Sequence, residues 1–168
     1  MRLPTTAGRR ILSGVAMAVT VSAALAIPAA ADTRGTATGA LAFLSDTKTP
    51  IAQAHGNQFI HEDASISYTG GLTGIAQATD TVIVHGDRSF IGYGSEVCHS
   101  CTIGGRTGTF TALFAFHGDD SGVTGTEIFV SGSGGLAGLR GGGPFSAGPT
   151  GATYSYNYRF AHGNEPRW

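Results

Sequence analysis

Lysine is nearly missing from this chain. Lys48 stands alone against nine arginines, and Lys and Arg together make up only 10 of 168 residues. Asp and Glu number 11, so there is no basic excess of the kind a nucleic-acid partner would need. The preference for arginine reads as the coding bias of a GC-rich genome rather than as chemistry. No glycine-rich loop carries the lysine of a Walker-type phosphate site. Helix signals are equally scarce beyond residue 31, where no segment sustains a 3.6-residue apolar stripe. No apolar run after the first is long enough to span a membrane. A G-x-S-x-G nucleophile elbow is absent. His61-Glu62-Asp63-Ala64-Ser65 begins like a zinc-protease motif but ends in serine and has no helical pattern around it. No fixed-period repeat or calcium-binding nonapeptide is found, which ranks a β-solenoid behind sandwiches and barrels.

What is present begins with a leader. Arg2, Arg9 and Arg10 precede the uncharged run "ILSGVAMAVTVSAALAI", and "PAAA" supplies small residues before Asp32. This is the pattern of a signal peptide over 1–31, with cleavage expected after Ala31. A membrane anchor is the rival reading, and Arg9-Arg10 raises twin-arginine export as an alternative to the general route. Cleavage would take three of the ten basic residues and no acidic ones, leaving an acidic, exported chain. Residues 32–168 are then long enough for one domain with a core.

Period-two alternation runs through that domain. In "TFTALFAFH", Phe110, Ala112, Phe114 and Phe116 share a face; in "TYSYNYRF", Tyr154, Tyr156, Tyr158 and Phe160 do. "GTATGALAF", "ASISYTG", "TVIVH", "SFIGYG" and "GTEIFVS" read as further strands. Turn signals separate them at Gly70-Gly71, Gly86-Asp87, Gly104-Gly105, Gly118-Asp119 and Gly148-Pro149. Seven or eight short strands without helices predict a sandwich or a closed barrel, which buries one face of every strand and removes exposed edges. Gly132-Ser133-Gly134-Gly135-Leu136-Ala137 fits the dinucleotide fingerprint G-x-G-x-x-G/A. That motif must open a helix, and Gly141 to Gly143 followed by Pro144 would break one. "GSGGLAGLRGGG" is instead expected to be a tight connection between two strands.

"GGRTGTF" at 104–110, "VSGSGGLAGLRGGGPF" at 130–145 and "YSYNYRF" at 154–160 resemble the signature of a bacterial family known as domain of unknown function 3224, and "YTGGLTG" at 68–74 resembles its earlier element. The resemblance implies an all-β fold, a single eight-stranded antiparallel β-barrel of the allene oxide cyclase-like kind. Relatives of that fold hold small apolar molecules inside the barrel. No activity is implied, because the family has none assigned.

Four constellations could carry chemistry. Cys98-His99-Ser100-Cys101 holds both cysteines. A disulfide is the default in an exported chain, with a redox C-x-x-C or a Cys-His metal site as alternatives. His-Gly-Asp/Asn recurs at 55–57, 85–87, 117–119 and 162–164. Turn chemistry accounts for it. Two intervening strands would also return His85 and His117 to one rim, beside Asp87, Asp119 and Asp120, which makes that pair the candidate for a metal; no metal or cofactor is expected on balance. The aromatic face of Phe110, Phe114, Phe116, Tyr154, Tyr156 and Tyr158 fills the barrel core, lines a ligand cavity or, facing outward, forms a subunit interface. Arg106 and Arg140 could fix a carboxylate ligand, or pair with Glu127 or Asp120. The reading these support is a secreted barrel holding a small apolar ligand. The alternatives are an isomerase- or cyclase-like enzyme and a filled structural barrel. A lined cavity separates the first two from the third, and an acid–base group inside it would favour the enzyme.

Overall fold

The structure, a computed structural model, describes residues 34–161. The expected leader, 1–31, and the last His-Gly-Asn tripeptide lie outside the described residues. Eight strands follow one another: β1 (Arg34–Ala54), β2 (Asn57–Gly70), β3 (Leu72–Val84), β4 (Phe90–Ile103), β5 (Arg106–Asp119), β6 (Gly122–Gly134), β7 (Leu139–Gly148) and β8 (Gly151–Phe160). Each pairs antiparallel with the next, and β8 closes on β1, giving one barrel. The strands are longer than the alternation alone indicated, because closure gives residues beyond each alternating core a ladder partner on both sides.

The expected turns stand between strands. Asp87 and Asp119 close theirs identically: Asp87 Oδ1 accepts from the Ser89 amide at 3.0 Å and hydroxyl at 2.7 Å, and Asp119 Oδ1 from those of Ser121 at 2.7 and 2.5 Å. Arg88 of the β3–β4 turn meets Asp120 of the β5–β6 turn at 3.0 Å, so both turns sit on one rim.

The glycine-rich segment corrects the sequence expectation. Gly141 to Gly143 belong to β7, not to a connection. At Gly141 and Gly142, φ is +123° and +148°, and an added Cβ would strike the carbonyl oxygens of Asn157 and Glu127. Glycine is required because β7 lies pressed between β6 and β8. The true β6–β7 connection is the four residues before Leu139. It folds back across the barrel end and drives Leu136 into it, fully buried. Gly135 N–H bonds the Thr107 carbonyl at 2.9 Å, and Ala161 N–H bonds the Gly138 carbonyl at 2.8 Å.

One half of the barrel is therefore full. Phe110 packs edge-on against Phe129 at 5.2 Å between ring centroids, and Phe129 against Tyr156 at 5.6 Å. Leu72, Ile103, Leu139 and Phe160 complete this plug, and the Arg106 guanidinium lies 4.1 Å over the Phe160 ring. Cys98 and Cys101 are bonded to each other across a bulge in β4, with both side chains fully buried. A side chain at Gly74 would collide with Cys101 Sγ, so the bulge and that glycine go together.

Candidate functional site

Toward the other end the barrel is hollow. A cavity of about 220 Å³ lies between the strands. The strands reach it where they approach the β3–β4, β5–β6 and β7–β8 turns, so the cavity opens at that rim. Its walls are the rings of Phe43, Phe90, Phe114, Phe116 and Phe145, with aliphatic surface from Leu41, Ala64 and Ile66. Glycines make this geometry possible. Gly92 points inward opposite Phe116, and Gly125 opposite Phe145. In each case the partner's ring occupies the space a Cβ would need, so the ring lies flat against the wall. β8 accompanies β1 only between Arg34 and Leu41. The rest of β1 is paired with β2 alone, and this overhang brings Asp46 and Lys48 to the mouth. There Lys48 Nζ bridges Asp46 at 3.0 Å and Glu62 at 3.1 Å.

The polar floor was not foreseen. Glu96 of β4 and Glu127 of β6 are 1% and 2% exposed, and both border the cavity. Tyr156 donates its hydroxyl proton to Glu127 Oε2 at 2.6 Å. The Tyr68 hydroxyl lies 2.9 Å from Glu96 Oε2 and 3.3 Å from Glu127 Oε2. It has one proton to give and ties the two carboxyls together. Glu96 Oε1, Glu127 Oε1 and, higher in the wall, Asp80 Oδ1 receive no hydrogen from any other residue's donor, and the two glutamates lie close enough to share a carboxyl proton between themselves.

Burial removes the water that would stabilise these charges. It pushes Glu127 up to about 7, against the pull of the donor bond from Tyr156. Glu96 is held well above the ordinary carboxyl range by burial, then by the charge of Glu127. Asp80 rises to about 7, again through burial first and the neighbouring Glu62 charge second. Tyr68 and Tyr156 are pushed upward by burial and then by Glu127, so both remain neutral donors. Near neutral pH Glu127 and Asp80 thus stand close to their titration points, able either to give or to take a proton, while Glu96 favours its protonated form.

Of the six aromatic residues singled out in the sequence, Phe114, Phe116 and Tyr156 border the cavity. Phe110 lies beneath the floor in the plug. The Tyr154 hydroxyl receives the Leu72 amide at 2.8 Å and meets the carbonyls of Leu72 at 2.9 Å and Thr69 at 3.0 Å, tying β8 to the β2–β3 turn. Tyr158 fills the space over Gly35 and Gly104 at the closed end. Among the described residues, no group of three or more His, Cys, Asp or Glu side chains is placed to hold a metal. His85 Nδ1 is 3.1 Å from Asn57 Oδ1, and His117 is exposed. Glu127 faces inward to the tyrosines and Asp120 is taken by Arg88, so neither is the partner expected of it for Arg106 or Arg140; Arg140 Nη1 donates to the Leu139 carbonyl at 2.7 Å.

The sequence matches no protein-family model and no curated protein. The fold is similar to a crystal structure of a protein of unknown function from the domain of unknown function 3224 family of Shewanella oneidensis MR-1. The TM-score is 0.63 at 19% identity, over 80% of this chain and 100% of that one. The likeness shows a common fold.

Proposed function

We propose, starting from a barrel of the domain of unknown function 3224 kind with one hollow end, that this chain is an exported binding protein for one small, largely apolar molecule. The observation that carries the reading is the cavity of about 220 Å³ walled by five phenylalanine rings over a buried polar floor. A cavity of about 150 Å³ suffices for benzene, and drug-sized ligands fill roughly 300 Å³ or more, so the occupant carries one or two rings. Export is supported by the buried Cys98–Cys101 disulfide, which belongs to an oxidising compartment. Titration with small apolar fluorophores tests binding. The reading requires saturable, one-to-one binding that is lost when Ala147→Trp narrows the mouth. Non-saturating partition, or unchanged binding in the variant, refutes it.

A second reading is favoured by one feature, the Glu96–Glu127 pair joined through the Tyr68 hydroxyl. Two carboxyls of raised pKa within reach of a bound molecule are the equipment of proton-transfer isomerisation. Solvent deuterium entering a bound enolisable ketone would support it. A ketone that binds and exchanges no faster than in buffer leaves the binding protein standing.

A further inference from the structure

The floor of the cavity is short of hydrogen-bond donors. Glu96 Oε1 and Glu127 Oε1 on the floor, and Asp80 Oδ1 above them, are all buried, all on cavity residues and all without a donor from elsewhere in the barrel. Buried polar atoms in folded proteins nearly always have partners, so three such oxygens around one cavity point to what the cavity receives. Apart from a carboxyl proton shared between the two glutamates, the donors already present are spent. Tyr156 gives its proton to Glu127, and Tyr68 serves the Oε2 atoms of both glutamates.

The charges point the same way. Five carboxyl groups border the cavity against a single ammonium, Lys48. That ammonium is held at the mouth by Asp46 and Glu62, leaving the deeper carboxyls without a cation. An anionic ligand would meet repulsion throughout. A neutral ligand would leave most orphan oxygens unserved. An alkylammonium brings three donors and no acceptor, the complement of this floor. Above the floor, Phe114, Phe116 and Phe90 present ring surface, which attracts a cation as well as an apolar body.

We propose that the barrel's ligand is an organic cation, a primary amine on a one- or two-ring body, with its ammonium group on the Glu96–Glu127 pair and its rings among the phenylalanines. This rests on the reading of the hollow half as a binding cavity.

Binding is coupled to protons. The groups facing the pair are Tyr68 from β2 and Tyr156 from β8, both neutral, with Asp80 from β3 and the Glu62–Lys48–Asp46 cluster nearer the mouth. Near pH 6 Glu127 holds its proton, which an incoming ammonium must displace, and burial favours the protonated form of Glu96 beside it. Above about pH 7 Glu127 has released its own, and the site is ready. Affinity for the amine therefore rises with pH.

Calorimetric titration of the purified protein with 2-phenylethylamine, 2-phenylethanol and 3-phenylpropionate separates the cases. At about pH 8 the amine should bind about tenfold or more tighter than the alcohol, with the carboxylate weakest. The amine's affinity should fall about tenfold by about pH 6, and the alcohol's should stay constant. Glu127→Gln should erase the amine's advantage while the alcohol still binds. Glu96→Gln provides the same comparison should the first variant fail to fold, and the wild-type series stands without either. Equal binding of amine and alcohol, a preference for the carboxylate, or a variant that keeps the amine preference overturns the cation assignment alone. No binding of any of the three overturns the cavity reading with it.

Discussion

Replacing Glu127 by glutamine should stabilise the protein at neutral pH, against the usual cost of altering a fully buried residue. Burial raises the folded-state pKa of Glu127 from the ordinary 4.5 to about 7. At about 1.4 kcal/mol per pH unit, ionising it inside the barrel costs about 3 kcal/mol relative to the unfolded chain. Below about pH 4.5 the group is protonated in both states and this cost is absent. Between about 4.5 and 7 the unfolded chain has released its proton and the folded chain has not, so stability falls as pH rises. Above about 7 both states are ionised and the loss is complete. Glutamine removes the titration and keeps the shape. Its amide oxygen can still accept from Tyr156, now 2.6 Å from the carboxylate, and its NH₂ can serve the unpartnered Glu96 Oε1. The stability difference between Glu127→Gln and wild type should grow in the variant's favour by about 3 kcal/mol from about pH 4.5 to about pH 8, or roughly 10 °C in melting temperature for a domain of this size. Urea denaturation followed by circular dichroism at both pH values measures it. A difference that stays constant between the two would show that Glu127 titrates normally, and the account of the floor would be wrong.

Two further outcomes follow from the packing. Gly92→Ala places a methyl group where the Phe116 ring lies; displacing that ring should cost about 1–3 kcal/mol and also lower the affinity of any apolar probe, which stability and binding measured on one variant can check. Replacing both Cys98 and Cys101 by alanine should cost only about 2 kcal/mol, because the disulfide closes a very short loop; chemical denaturation of the variant showing a loss beyond about 4 kcal/mol would mean that the bond holds the β4 bulge against real strain.

The ring of strands was legible because alternation and turn residues are local. Phe110 to Phe116 and Tyr154 to Phe160 announce their faces, and the Gly-Asp turns fall where Asp87 and Asp119 fold back onto serines. The glycines of β7 were not legible as strand. Their signal is the absence of side chains, which a turn and a close-packed strand share, and only the approach of β6 and β8 distinguishes them. The floor was hidden for a different reason. In "TEIFV", Glu127 and Phe129 point inward while Ile128 is exposed outside, and in "FIGYGSE" Gly92 and Glu96 point inward while Ile91 and Tyr93 face solvent. Polarity is reversed across these two strands, so hydrophobic patterning points away from the carboxylates. The parity of Glu127 with Phe129 was the available clue. The sequence could not show that β4 and β6, separated by β5, bring Glu96 and Glu127 to the same tyrosine hydroxyl.

The central claim is that the rim-side half of the barrel is an accessible cavity rather than a filled core. Crystals of the protein soaked in iodobenzene test it most directly, since iodine is located by its anomalous scattering independently of any interpretation of the side chains. The account predicts one strong iodine peak inside the barrel, bounded by Phe114, Phe116 and Phe145 above the Glu96–Glu127 floor. Crystals with no interior peak, and with the phenylalanine rings closed down onto those two carboxyls, would contradict it.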